Sequence, residues 1–126
     1  MFELSVKTQF SAAHHLVGYD GQCARFHGHN WEVELFVRGA QLNGLGMLED
    51  FRQIKNVVRE VMGALDHGDL NAVPAFMQAN PTSENVARYL YDELGARLNC
   101  ARYRIHRVKV CETPSTSASY EEDGHG

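Results

Sequence analysis

The chain is poor in the features that mark several large classes of protein. It has only three cysteines, Cys23, Cys100 and Cys111. An odd count without short-range pairing does not make a secreted disulfide framework. No run approaches the roughly 18 apolar residues of a membrane span. The opening MFELSVKTQF alternates and carries charge, so it lacks the apolar core of a signal peptide. The formal net charge of -4 leaves no basic excess of the kind a dedicated nucleic-acid binder shows. An anionic small molecule stays open as a ligand, because a local positive cluster outweighs a weak overall balance. Internal repeats, low-complexity segments and linkers are also missing. The expectation is a cytoplasmic protein with neither a membrane nor a nucleic-acid partner.

What is present suits one globular domain over 1–126, with 121–126 as a flexible tail. Apolar content of 44% and charged content of 22% are ordinary for such a domain. From Phe2 to Ala12 the even positions are Phe, Leu, Val, Thr, Phe and Ala, and the odd positions are polar or charged. Period-two alternation predicts a half-buried strand, and its parity carries His14 to the apolar side. A second strand is predicted over about 30–38. Trp31, Val33, Leu35 and Val37 share its apolar parity, which runs backwards through His29 and His27. Gly28 between them permits a bulge or close approach.

Asp50 stands where a helix N-cap belongs, before Phe51, Ile54, Val58, Val61, Met62 and Leu65 at helical spacing. NPTSEN starts a second helix, capped by Thr82 or Ser83, with Val86, Leu90, Leu94 and Leu98 as its stripe. RYRIHRVKVCET is strand-like, with Val108, Val110 and Glu112 on one parity, and SASYEE returns as a short last strand. The order β-β-α-α-β-β predicts an α+β fold: a four-stranded antiparallel sheet with two helices on one face.

Two histidines at i and i+2 on a strand face the same way. If His14 lies on the neighbouring strand at matching height, His14, His27 and His29 converge. Three imidazoles with one open position form a catalytic zinc ligand set. Cys23, four residues upstream, leaves a closed structural site of Cys23, His14, His27 and His29 as the rival. His15 has the opposite parity and is excluded. Cys100 and Cys111 are expected to pack. Arg102, Arg104, Arg107 and Lys109 are read as a solvated strand face in preference to a phosphate-attracting field.

FSAAHHL, CARFHGHNWEVEL, LDHGDLN, NPTSENVARYL and VKVCET together span nearly the whole chain. In order and spacing they resemble the 6-pyruvoyl-tetrahydropterin synthase family, most of all its bacterial 6-carboxy-5,6,7,8-tetrahydropterin synthase branch of queuosine biosynthesis. The resemblance implies the tunnelling fold. It also implies trimers whose sheets form a barrel, paired into hexamers with active sites between subunits. By the same resemblance one zinc per subunit sits on His14, His27 and His29, and Cys23 is the general base. Asp66 and His67, from a neighbouring subunit, assist the cysteine. Glu112 grips the pterin ring, and Thr82 and Ser83 border its pocket.

The implied reaction converts 7,8-dihydroneopterin triphosphate to 6-carboxytetrahydropterin, releasing triphosphate and acetaldehyde. The three-residue gap between Cys23 and H-G-H matches the queuosine branch, and Cys23 argues against the folate-type branch, which has glutamate there. The alternatives are a 6-pyruvoyl-tetrahydropterin synthase, which performs the elimination alone, and a non-catalytic zinc-binding oligomerisation module. The module would have no use for Cys23, Asp66, His67 and Glu112 together.

Overall fold

The computed structural model describes residues 1–19 and 27–122, with His27 described by its backbone only. Cys23 and the end of the tail, 123–126, lie outside the described residues. The alternating segments form two long strands, β1 (Phe2–His14) and β2 (His27–Gly39), paired antiparallel from Phe2↔Gly39 to His14↔His27. Val6, Phe10, Ala12 and His14 are buried on β1, and Trp31, Val33, Leu35 and Val37 on β2. Their sequence neighbours Lys7, Gln9 and Glu32 face outward and are exposed.

Helix α1 (Phe51–Gly63) begins where Asp50 Oδ1 accepts the N–H of Arg52 at 2.9 Å. It buries Ile54, Val58, Val61 and Met62, while Phe51 stays 47% exposed at its first position. The short strand β3 (Gly68–Asp69) and two 3₁₀ turns, Leu70–Ala72 and Pro74–Phe76, lead to helix α2 (Ser83–Leu98). Thr82 caps α2 through Oγ1, which accepts the N–H of Asn85 at 3.1 Å. Val86, Ala87, Leu90, Tyr91, Leu94 and Leu98 form its buried side. Strands β4 (Arg104–Thr113) and β5 (Thr116–Tyr120) close the fold. Both helices pack on one face of the sheet, α2 against β4 and β5, and α1 against β1 and α2. Among the described residues no helix is long and apolar enough to cross a membrane.

The sheet differs from the expected four-stranded antiparallel one. It is mixed and five-stranded, in the order β3-β1-β2-β4-β5, with β3 parallel to β1 at Ala12 and Ala13. The physical reason is the edge of β1. Its backbone N–H and C=O groups near the histidine end need partners, and the chain leaving α1 returns along that edge to supply them. A two-residue strand has no periodicity to show in sequence. A second irregularity lies between β2 and β4, where Phe36 pairs with Arg107 but Val37 with Ile105. His106 is the extra residue. The bulge lets both Ile105 and Val108 turn inward, although they are three apart.

Candidate functional site

The apolar row between β1 and β2 ends in imidazoles because the register puts Phe10 opposite Trp31, Ala12 opposite His29, and His14 opposite His27. Trp31, fully buried, forms the floor. The His14 and His29 rings meet it edge-on, with centroids 4.9 and 5.8 Å away. The indole N–H donates to the Ala12 carbonyl at 3.3 Å, which fixes the ring between the strands.

His14 is 1% exposed. Its Nδ1 lies 2.8 Å from the carbonyl oxygen of Pro81, in the turn before α2. A carbonyl only accepts, so Nδ1 carries the proton, and in the neutral ring Nε2 presents a lone pair. That Nε2 faces Glu112 Oε1 at 2.8 Å, and His29 Nε2 lies 3.6 Å from the same oxygen. A lone pair against a carboxylate oxygen at this distance requires a positive charge, a proton or a metal cation, between or beside them. The ligand atoms of His14, His29 and Glu112 all fall within 4.8 Å of one another. Two imidazole nitrogens and a carboxylate suit a zinc-type ion, and His14 is oriented by a carbonyl in the manner of metal-binding histidines. His29 and Glu112 are about a quarter exposed, so the group opens to solvent on one side.

Asp66 and His67 lie outside this group. Asp66 Oδ1 accepts the N–H of Ser11 at 2.8 Å, and Oδ2 lies 3.0 Å from His67 Nδ1. The His67 N–H donates to the Ser11 carbonyl at 2.5 Å. These bonds hold His67 at φ 58, a left-handed backbone uncommon for a side chain of this size. The His67 side chain is 83% exposed. It borders a hollow of about 410 Å³ with Ser11, Gly28, His29 and Asn30, so it stands beside the imidazole pair without touching it.

The Ser11 N–H above all holds the Asp66 carboxyl below its ordinary 3.8; burial opposes it, and the neighbouring His67 adds to the lowering. A depressed folded value stabilises the fold above the ordinary carboxylate range. That stabilisation is lost as pH falls through the folded value. Urea unfolding of wild type and Asp66→Asn is therefore expected to differ at neutral pH and to converge in acid. A difference that persists unchanged in acid would contradict this role for the carboxylate.

Thr82 is used as the α2 cap, and Ser83 begins the helix; both are half-buried beside Pro81. The His27 backbone sits opposite His14 in the register. His15 lines a separate hollow of about 470 Å³ with Asn71, Phe76 and Asn80. Cys100 is exposed, and Cys111 faces the outer side of the sheet. There a hollow of about 520 Å³, lined by Lys7, Gln9, Glu32, Glu34 and Lys109, is larger than those near the histidines but holds none of the candidate residues. The four basic residues have separate surroundings: Arg107 lies over the Phe36 ring at 4.2 Å, Arg104 and Lys109 stand opposite Arg38 and Glu34 in the strand register, and Arg102 donates to the Leu48 carbonyl.

Of three further contributors, two left no signal in the sequence. Trp31 as a floor was legible, two residues along the same parity from His29. The Pro81 carbonyl was not, being a backbone atom 67 residues from its partner. The Ser11 backbone likewise gives no side-chain signal.

A profile of the family described as 6-pyruvoyl tetrahydropterin synthase matches residues 3–123. The chain belongs to this family. The 6-carboxy-5,6,7,8-tetrahydropterin synthase of Bacillus subtilis is 35% identical over 126 residues, covering 94% of this chain and 84% of that one. The 6-pyruvoyl tetrahydrobiopterin synthase of Dictyostelium discoideum is 33% identical over 102 residues, covering 79% and 73%. The solved 6-pyruvoyl tetrahydropterin synthase of Caenorhabditis elegans superposes with a TM-score of 0.87 at 28% identity, covering 97% of this chain and 96% of that one. Two family branches thus stand at similar distance, and overall likeness does not choose between their products.

Proposed function

We propose that the chain is a zinc-dependent enzyme converting 7,8-dihydroneopterin triphosphate to 6-carboxy-5,6,7,8-tetrahydropterin in queuosine biosynthesis. Water is taken up, and triphosphate and acetaldehyde leave. The observation that carries the reading is the buried His14, its Nδ1 committed to Pro81 and its Nε2 turned to His29 and Glu112. His14, His27 and His29 are the proposed holders of one zinc ion per subunit. Zinc supplies a Lewis acid, which eases loss of protons from the substrate's side-chain hydroxyls.

The remaining roles fall to the chain's own groups. Cys23 takes a carbon-bound proton beside the ring, as a thiolate. Asp66 orients His67 and stabilises its charged form, so that the pair assists the cysteine of a neighbouring subunit. Glu112 accepts the parallel donors N3–H and 2-amino of the pterin, and Thr82 and Ser83 border the ring. Assembly into trimers and then hexamers is supported by the sheet edges. Among the described residues no strand pairs with the outer edge of β1 from Phe2 to Phe10, and β5 forms the opposite edge. In this reading residues 1–126 act as one catalytic domain in the cytoplasm.

The Dictyostelium relative supports a second reading, a 6-pyruvoyl-tetrahydropterin synthase that stops after elimination. Zinc dependence tests what the two share. Protein stripped by a chelator is expected to release no triphosphate from the substrate and to recover on adding zinc. Full turnover by the stripped protein would overturn the metal role.

Glu112→Gln separates ring binding from metal binding. Losing a charge-assisted pair of hydrogen bonds costs about 1.5–3 kcal/mol, so KM is expected to rise about ten- to a hundredfold with zinc retained. Loss of zinc with unchanged KM in the reloaded variant would make Glu112 a ligand instead.

A further inference from the structure

Beyond His14 the chain leaves the regular strand but remains paired. Asn71 Oδ1 accepts the N–H of His15 at 2.9 Å, and Asn71 Nδ2 donates to the His15 carbonyl at 3.1 Å. Two residues on, Asn80 Oδ1 accepts the N–H of Val17 at 2.9 Å, and its Nδ2 donates to the Val17 carbonyl at 2.8 Å. A carboxamide that exchanges both bonds with one residue does what a paired strand residue does. The spacing of two matches a ladder. On the same edge Ser11 is met by Asp66 and His67, and Ala12 and Ala13 by β3. Two side chains thus continue a strand that the backbone has abandoned.

Asn80 has a second attachment. Its own carbonyl accepts the N–H of Thr82 and the Nδ2 of Asn85, both at 2.8 Å, which shapes the turn before α2. The next residue, Pro81, offers its carbonyl to His14 Nδ1. One asparagine therefore ties together the exit of β1, three residues past His14, and the turn that orients the His14 ring.

We propose that Asn80, seconded by Asn71, is a positioning residue of the metal centre. By clamping residues 15–17 it keeps His14 Nδ1 on Pro81 and so presents Nε2 in a single orientation. Without that clamp, residues 15–17 regain backbone freedom that metal binding must then remove. The inference rests on the zinc reading above.

The test is zinc affinity, measured by competition with a chromophoric chelator and without any pterin. Asn80→Ala is expected to weaken zinc about tenfold, in the range of lost outer-shell support. Asn80→Asp keeps an acceptor for the Val17 N–H but sets a carboxylate oxygen against the Val17 carbonyl, and is expected to weaken zinc as well. Asn43→Ala is the control. It removes two bonds, to the N–H groups of Leu45 and Met47, from the loop at the far end of β2. It should lower the melting temperature and leave zinc affinity unchanged. Equal zinc affinity in wild type and Asn80→Ala would overturn the positioning role alone, as would equal weakening by Asn43→Ala. A wild type that binds no zinc would overturn the metal reading and this inference with it.

Discussion

Cys23→Ala is expected to lower turnover of 7,8-dihydroneopterin triphosphate about 10²- to 10⁴-fold, the usual contribution of a general base, with one zinc per subunit retained. The expectation comes from the roles proposed above. Cys23 stands four residues before His27 in the sequence, ahead of the strand that carries His27 and His29. In the proposed reading the three histidines hold the metal, which leaves Cys23 to act on the substrate. Metal analysis and steady-state kinetics on one preparation check both halves. Zinc lost together with activity would make Cys23 a fourth ligand and favour a closed structural site.

Trp31→Ala is expected to destabilise the fold by about 3–5 kcal/mol, the range for truncating a large aromatic side chain in a core. Trp31 is fully buried, stacks on Phe10 with centroids 5.8 Å apart, and supports both described imidazoles. Total stability of a domain this size is about 5–15 kcal/mol, so the loss is a large share. Trp31→Phe keeps a ring on Phe10 and loses the bond to Ala12, and should cost markedly less. Urea unfolding of the metal-free proteins separates the two variants. A cost below about 1 kcal/mol for Trp31→Ala would show that the floor is not needed to hold the strands.

How far the sequence told this in advance depends on which physical signal each part leaves. Alternation is a property of the side chains, so β1, β2 and the inward placement of His14 could be read directly. Asp50 and Thr82 announce their helices because capping needs a short polar acceptor at a fixed offset. Glu112 sat on the inward parity of β4, yet nothing in spacing said that its carboxylate reaches His14 and His29. That meeting depends on the register of β4 on β2, and register is set by the whole sheet. β3, the bulge at His106 and the Pro81 carbonyl are backbone features without a residue-type signature. The Asn71 and Asn80 clamps lie inside motifs that the resemblance matched, but an asparagine in a loop is ordinarily a turn former. Only the fold shows them standing in for a strand.

The most direct test of the proposed function is the identity of the product. Zinc-loaded protein incubated with 7,8-dihydroneopterin triphosphate and followed by mass spectrometry is expected to yield 6-carboxy-5,6,7,8-tetrahydropterin together with acetaldehyde. Accumulation of 6-pyruvoyl-tetrahydropterin alone would contradict it.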